Sequence, residues 1–336
     1  MANSYTKTFD ALFTTTLEAY QKQLYDNIFK DEVFFKILHN KGKKRTQKGG
    51  ERIIVPLMYG KNTTFGSISG AEVVDTSPQE GLTVAYYTWR TVAGSVTITD
   101  DEKSDNSGDA QILSLLEIKV KQGELSMKDV LANMLLGSFS AGNGGKDIDP
   151  LPLLVRYNIT ASAEIGGLDQ STYTWWRNQT ADSGATTYKG LLQDMRNMYN
   201  DCTKGGGGSP DVVLCEQIAF ETYENAMQEY NRISQTQNAN VGYERLRFKG
   251  AEVVWDERVP DAKNASTTIT DSTMYFLNTD YIELVAQEGR DLRTKPFVTP
   301  DNSLVSTSLI DFRGNLCLSN RRKQGVLGGI STSIVA

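Results

Sequence analysis

One long amphipathic stretch constrains this chain more than any other. Between Asp109 and Phe139, apolar residues recur at Ile112, Leu116, Val120, Met127, Val130, Leu131, Met134 and Leu135, the three-to-four spacing of one helical face. Asp109, following Gly108, reads as an N-cap, and Gly137 and Gly142 read as stop signals. At the standard rise the predicted helix over 109–139 is about 45 Å long, well beyond the roughly three turns of an average globular helix. Gly123 falls inside it and costs about 1 kcal/mol relative to alanine, which marks it as a point of bending. A helix this long needs cover along one side. The chain before it reads as extended and thin, and the chain after it as a mixed body.

Ahead of the helix, residues 1–8 are polar. From Phe9 to Leu38 the residues Phe13, Leu17, Tyr20, Leu24 and Ile28 share a helical face, and an apolar cluster follows at Val33, Phe34, Phe35, Ile37 and Leu38. This predicts an N-terminal helical arm that packs on something. The run Lys41, Lys43, Lys44, Arg45 and Lys48 reads as a solvated loop, with a phosphate-facing patch as the sharper alternative. Residues 53–59 predict a strand that Pro56 pushes to an edge or bulge. Residues 82–99 predict one long strand, with Val92, Val96 and Ile98 alternating with Ala93, Ser95, Thr97 and Thr99. The connection over 60–81 is rich in Gly, Ser and Thr, and only Phe65, Ile68, Val73 and Val74 could anchor a core. So long a structureless connection is uncommon in a compact domain. It reads as a projecting hairpin, marginal on its own, that needs a neighbour in its own body or in another subunit.

Behind the helix, residues 140–150 punctuate strongly, and 151–160 hold a short apolar run. A helix is predicted over 186–202, with Leu191, Met195, Met198, Tyr199 and Cys202 on one face and Gly205 as the stop. The glycine-rich loop at 204–210 is flexible by composition. A short buried strand at 211–215 feeds a second helix over 216–233, with Ala219, Tyr223, Ala226, Met227 and Tyr230 on one face. Further strands are predicted at 251–256, 273–278, 281–286 and 304–318. Helices and strands mix without a strict βαβ alternation, so the fold class is α+β rather than a doubly wound sheet.

Chemistry is harder to find. With 39% hydrophobic and 23% charged residues the chain is that of a folded, soluble protein, and a net charge of −6 gives no global case for nucleic-acid affinity. No signal-type segment and no apolar run of about 18 residues is present, which predicts a cytosolic product with no membrane partner. Cys202, Cys215 and Cys317 form no CxxC pair and read as free thiols, and His39 is the single histidine. The glycines at 205–208 lack the phosphate-loop pattern. The acidic residues Asp100, Asp101 and Glu102, like Asp147 and Asp149, read as solvated. No catalytic, cofactor or metal site is predicted. Trp175, Trp176 and Arg177 read either as a stacking platform for a base or sugar or as packing and interface anchors. Arg321, Arg322 and Lys323 form a second positive cluster. A long hairpin, an apolar arm and a long helix are parts that seek partners, and they fit an assembly subunit better than an enzyme.

Several stretches carry a resemblance. These are GGERIIVPLMYGKNTTFGSISG (49–70), DTSPQEGLTVAYYTWRTVAGSVTIT (75–99), IGGLDQSTYTWWRNQ (165–179), SPDVVLCEQIAFETYE (209–224), FKGAEVVWDERVP (248–260), MYFLNTDYIEL (274–284) and FRGNLCLSNRRKQGVL (312–327). In order and spacing, from about residue 33 to 327, the chain resembles a tailed-bacteriophage major capsid protein of the Hong Kong 97-type fold. The resemblance implies an N-terminal arm over 1–50, an extended β-hairpin loop with its base strands over 51–100, and the spine helix of a peripheral domain over 101–145. It further implies a mainly axial domain over 146–284 and, over 285–336, returning peripheral strands with a C-terminal axial segment. The implied protein is no enzyme. It builds pentamers and hexamers of itself into an icosahedral shell around double-stranded DNA, assembled in the host cytoplasm and located in the virion. Implied partners are a separate scaffolding protein, a portal and decoration proteins.

On this reading Lys61, Asn62, Phe65, Ile68, Trp175, Trp176 and Arg177 are candidate intersubunit contacts. Lys41, Lys43, Lys44, Arg45, Lys48, Arg321, Arg322 and Lys323 are candidate DNA-facing cations. One branch of the family forms Lys–Asn crosslinks between subunits, and Lys61 and Asn62 sit in the hairpin. Such a bond needs a buried, deprotonated lysine beside a carboxylate. Bending of the long helix at Gly123 would fit one sequence to different positions in a curved lattice. The alternatives are an encapsulin-like host nanocompartment shell, and a carbohydrate-binding module or enzyme using Trp175 and Trp176.

Overall fold

The computed structural model describes residues 33–105, 115–138, 140–234, 246–260, 271–300, 304–331 and 334. The arm helix expected before Val33 and, of the expected 109–139 helix, residues 109–114 and 139 lie outside them. Helix α1 (Val33–Asn40) buries Phe34, Phe35 and Leu38. The basic run after it is a solvated loop only in part: Lys44–Gln47 form β1, and Lys41, Lys43 and Lys48 flank that strand outside it. Strands β2 (Arg52–Met58) and β3 (Leu82–Thr88) pair antiparallel as a two-stranded ribbon. The stretch expected as one strand over 82–99 is two, because β4 (Arg90–Thr99) leaves the ribbon and enters another sheet. Trp89 makes the break. Its ring is buried, and its Nε1 donates to Gly50 O at 2.9 Å.

A short helix α2 (Asp100–Asp105) precedes the long helix α3 (Leu115–Leu135). Apart from short helical turns, the elements that follow are a small hairpin of β5 (Glu164–Ile165) and β6 (Leu168–Asp169), then β7 (Gln179–Asp182), α4 (Tyr188–Thr203), β8 (Val212–Cys215), α5 (Gln217–Ser234) and β9 (Arg247–Phe248). They continue with β10 (Ala251–Trp255), β11 (Asp271–Leu277), β12 (Ile282–Gln287), β13 (Arg293–Thr294), β14 (Val305–Leu318) and β15 (Gly325–Ser331). Helix α4 starts where the hydroxyl of Thr187 accepts from Gly190 N, satisfying one of the free amides of its first turn.

Two sheets organise the body. The first runs β1-β12-β14-β13, with β4 paired along the other edge of β14 over ten residue pairs, from Val305↔Thr99 to Gly314↔Arg90. Helix α3 covers it: Met127, Leu131 and Leu135 join Val92, Val96 and Ile310 in one buried cluster that also takes in Phe34 and Leu38 of α1. The second sheet runs β7-β15-β11-β8-β10-β9, with parallel pairs at β7–β15 and β8–β10. Leu191, Met195, Met198 and Cys202 of α4 and Ala219 and Tyr223 of α5 pack with Val213, Met274, Phe276 and Leu327 of this sheet.

Gly123 has a packing role that its position alone did not reveal. A Cβ built there would lie 2.6 Å from Val96 Cγ2 and 3.0 Å from Ile310 Cδ1. Lacking a side chain at that point, α3 seats directly on the sheet, and it is one continuous helix through the glycine.

Candidate assembly surfaces and the cationic clusters

The β2–β3 register explains why the ribbon is apolar on both faces. Ile53↔Tyr87, Val55↔Ala85 and Leu57↔Thr83 form one face, and Ile54↔Tyr86, Pro56↔Val84 and Met58↔Leu82 form the other. The first packs on the body, with Ile53, Leu57, Ala85 and Tyr87 buried. It is fastened by Tyr87, whose hydroxyl donates to Leu318 O at 3.0 Å and accepts from Leu318 N at 3.2 Å. The second is open: Met58 is 78% and Leu82 77% exposed, with Ile54 and Tyr86 also in solvent. A contiguous apolar face in water marks an interaction surface. Sequence reading did not single out Ile54, Met58, Leu82 or Tyr86. The signal was the unbroken apolar run IIVPLM, since a strand apolar on both faces is one that is covered on both.

At the ribbon's far end, Phe65, Ile68, Val73 and Val74 are all exposed. Lys61 and Asn62 are exposed too. Asn62 Oδ1 accepts from Thr64 N at 2.9 Å and from Thr64 Oγ1 at 2.6 Å, a local turn. Lys61 therefore has none of the burial that crosslinking chemistry requires within this single chain.

Trp175, Trp176 and Arg177 do not form one platform. Trp176 is buried, and its Nε1 donates to Ile165 O at 2.9 Å. The Arg177 guanidinium donates to Gln170 O at 2.7 Å and Ser171 O at 2.9 Å. Trp176 is thus a core residue and not an intersubunit contact, and Arg177 braces its own loop. Trp175 stacks on Tyr59 at 5.3 Å with 21° between the rings, which ties the end of β2 to the body. The same loop holds the ribbon a second way, since Tyr86 N donates to Gly166 O at 2.9 Å. Gly166 (φ +63) lets the small hairpin come this close, because a Cβ there would lie 2.9 Å from Ala85 Cβ.

Most of the cations are engaged by groups of the same chain. Lys41 pairs with Asp211, Lys43 with Asp280 at 2.6 Å, Lys44 with Asp291 at 2.7 Å and Arg45 with Glu283 at 2.9 Å. These partners belong to the same chain, so the run straps across both sheets, although Lys41 and Arg45 remain exposed in their pairs and Lys48 is exposed as well. At the C-terminal cluster the DNA-facing expectation fails for Arg321 and Lys323. Arg321 has no exposed surface. Its guanidinium donates to Leu154 O at 2.8 Å, Trp176 O at 2.9 Å, Asn178 Oδ1 at 3.0 Å and Gln170 Oε1 at 3.2 Å. Burial pulls its pKa down to about 9, with Tyr87 opposing the shift and Arg156 adding to it. Lys323 is buried and donates to Thr203 O at 3.0 Å and Lys204 O at 3.1 Å, where it neutralises the carbonyl end of α4. Arg322, between them, is exposed.

Among the described residues no group of His, Cys, Asp and Glu could hold a metal ion, and no helix is long and apolar enough to cross a membrane. The thiols of Cys202, Cys215 and Cys317 are buried, and burial pushes Cys202 up to about 12, which leaves it a poor nucleophile.

No protein-family model and no curated protein matches this sequence. Solved structures do. The capsid asymmetric unit of Cyanophage A-1(L) matches with a TM-score of 0.66 at 14% identity, over 95% of this chain and 99% of that one. The capsid of Myoviridae phage XM1 matches with a TM-score of 0.59 at 12% identity, over 94% and 97%. The chain has the Hong Kong 97-type capsid fold. A third match, the holo-SrpI encapsulin complex from Synechococcus elongatus PCC 7942, has a TM-score of 0.59 at 11% identity and covers 97% of both chains. Because the coverage is nearly complete on both sides, the Hong Kong 97-type fold accounts for the ribbon, the long helix and both sheets together, and not for one shared fragment.

Proposed function

We propose that this chain is the major capsid protein of a tailed double-stranded DNA bacteriophage, a structural subunit without catalytic activity. Pentamers and hexamers of it would form the icosahedral head. The observation that carries the reading is the ribbon: a projecting element, apolar on both faces, with Ile54, Met58, Leu82 and Tyr86 left in water by the chain's own body. A second copy covers such a face without any new chemistry. The fold adds support, since phage XM1 and Cyanophage A-1(L) use it for capsids. Packaged DNA, a scaffolding protein, a portal, decoration proteins and a place in the virion belong to the same proposal. The test is expression alone or with a scaffold, followed by negative-stain imaging. Closed shells of megadalton mass are expected, and a 37 kDa monomer under every assembly condition would overturn the reading.

The encapsulin match gives a second reading, a host nanocompartment shell. The contents of particles purified from the native source separate the two: a DNA genome supports the phage head, and a protein cargo supports the compartment.

A further inference from the structure

The connection that leaves α3 carries the one Asn–Gly pair in the sequence, Asn143–Gly144. Both ends of this connection are fixed. Leu135 and Leu136 are buried at the exit of the helix, and Ile148 is buried on the far side, where Asp149 N donates to Asn315 Oδ1 at 2.9 Å. Between the anchors, Gly142 precedes Asn143 and Gly144 and Gly145 follow it. Asn143 and Gly144 both have left-handed backbone, with φ of 51° and 65°. Asparagine is one of the few residues with a side chain that enters this region readily.

The Asn143 side chain is unrestrained. The residue is exposed, and among the described residues no hydrogen bond holds its carboxamide. Other asparagines are held. Asn62 Oδ1 accepts from Thr64 N at 2.9 Å, and Asn158 Oδ1 accepts from Ala161 N at 3.2 Å. Asn178 Nδ2 donates to Arg156 O at 2.7 Å, and Asn315 Nδ2 donates to Thr88 O at 2.9 Å. Gly144 is open as well: nothing lies within 4 Å of the place a Cβ would take. A side chain there would crowd the approach of its own nitrogen to the preceding carboxamide, and glycine has none.

We propose that Asn143 is a site of spontaneous deamidation in the folded chain. Rotation about its ψ, which the flanking glycines leave free, brings the Gly144 nitrogen onto Asn143 Cγ. The N–Cγ bond forms, the Cγ–Nδ2 bond breaks, and ammonia leaves with the proton of the Gly144 amide. The product is a cyclic imide. Water opens it at either carbonyl, its hydroxyl going to carbon and its remaining hydrogen to nitrogen. One opening gives aspartate. The other gives isoaspartate, in which the main chain runs through the former side chain. Water is the only co-reactant. Each event adds a negative charge to a chain that already stands at −6, and the new carboxylate shares the turn with that of Asp147, which lies against Gly142. The inference is independent of the shell reading.

The test is a time course. The full folded chain is held in mildly alkaline buffer, and samples are digested and read by mass spectrometry. Cleavage after Lys128 and Lys146 releases the peptide 129–146, whose fragment ions distinguish Asn143 from Asn133. The mass gain of an amide-to-acid exchange should build up at Asn143 ahead of every other asparagine, as separable aspartate and isoaspartate forms. Asn143→Gln should lose it. Conversion at other asparagines as fast as at Asn143 overturns the assignment. So does a folded chain whose Asn143 stays an amide while the free 129–146 peptide converts in the same buffer, because the turn would then hold the two groups apart. Aspartate without isoaspartate overturns the imide route.

Discussion

Gly123 and Val96 meet as backbone against side chain: a Cβ on Gly123 would come within 2.6 Å of Val96 Cγ2. The missing methyl lets α3 lie close on β4, where a branched side chain cannot swing aside. Gly123→Ala gains about 1 kcal/mol of helix propensity and loses about 1–3 kcal/mol to overpacking. A net loss of stability in urea denaturation is expected. Adding Val96→Ala should recover part of it, and a pair of simply additive effects would refute the contact as its cause.

Arg321 offers a sharper loss. Its guanidinium satisfies four neutral oxygens in a site without water access. Arg321→Met fits the volume but strands those acceptors, at about 1–3 kcal/mol for each one left unsatisfied. Asn178 Oδ1 keeps a donor in Arg156 N, so with three acceptors stranded a loss of at least about 3 kcal/mol is expected in equilibrium denaturation. Arg321→Lys keeps the charge without the planar fork and should fall between the two. Wild-type stability in Arg321→Met would refute the role given to this residue.

Acid should loosen the end of the first sheet. Burial of Asp311 raises its pKa, but hydrogen bonds from Arg290 at 2.7 Å and Arg293 at 3.0 Å more than offset this and hold the carboxyl below its ordinary value. A depressed carboxylate stabilises the fold at pH values above its unfolded pKa, and the contribution is lost as pH falls through the folded one. The melting temperature should therefore drop below about pH 4, and Asp311→Asn should flatten that part of the profile while lowering stability at neutral pH. An unchanged acid limb would exclude Asp311 as a contributor.

Charging the open ribbon face separates folding from assembly. Met58→Asp with Leu82→Asp places two carboxylates opposite each other in water. Surface changes of this kind shift stability by about 0.5 kcal/mol, so the melting temperature should hold while shells disappear from sedimentation profiles. Deleting 62–80 should likewise spare the body and abolish shells. Intact shells in both variants would show that the ribbon is not an assembly element.

Where periodicity had one reading, the sequence was legible. Leu191, Met195, Met198 and Cys202 lie on the buried face of α4, and Val92, Val96 and Ile98 face inward as their alternation predicts. The division of 82–99 at Trp89 could not be seen, because neither glycine nor proline marks it and the residues on each side favour strands equally. The charge runs were the least legible. Lys41–Arg45 look like a solvated surface until Asp211, Asp280, Glu283 and Asp291 are brought beside them, and nothing local announces those partners. In RRK the middle residue is exposed and the outer two are buried, a pattern set by a short helical turn that composition does not reveal.

The paired cations of β1 give the start of the described chain two anchors of opposite temperament. Helix α1 is held by Phe34, Phe35 and Leu38 in the core, an attachment that added salt does not weaken. The strand after it is held by its parallel ladder with β12 and, beside that, by ion pairs at the surface, which dissolved salt weakens. Rising ionic strength thus slackens the second anchor and spares the first.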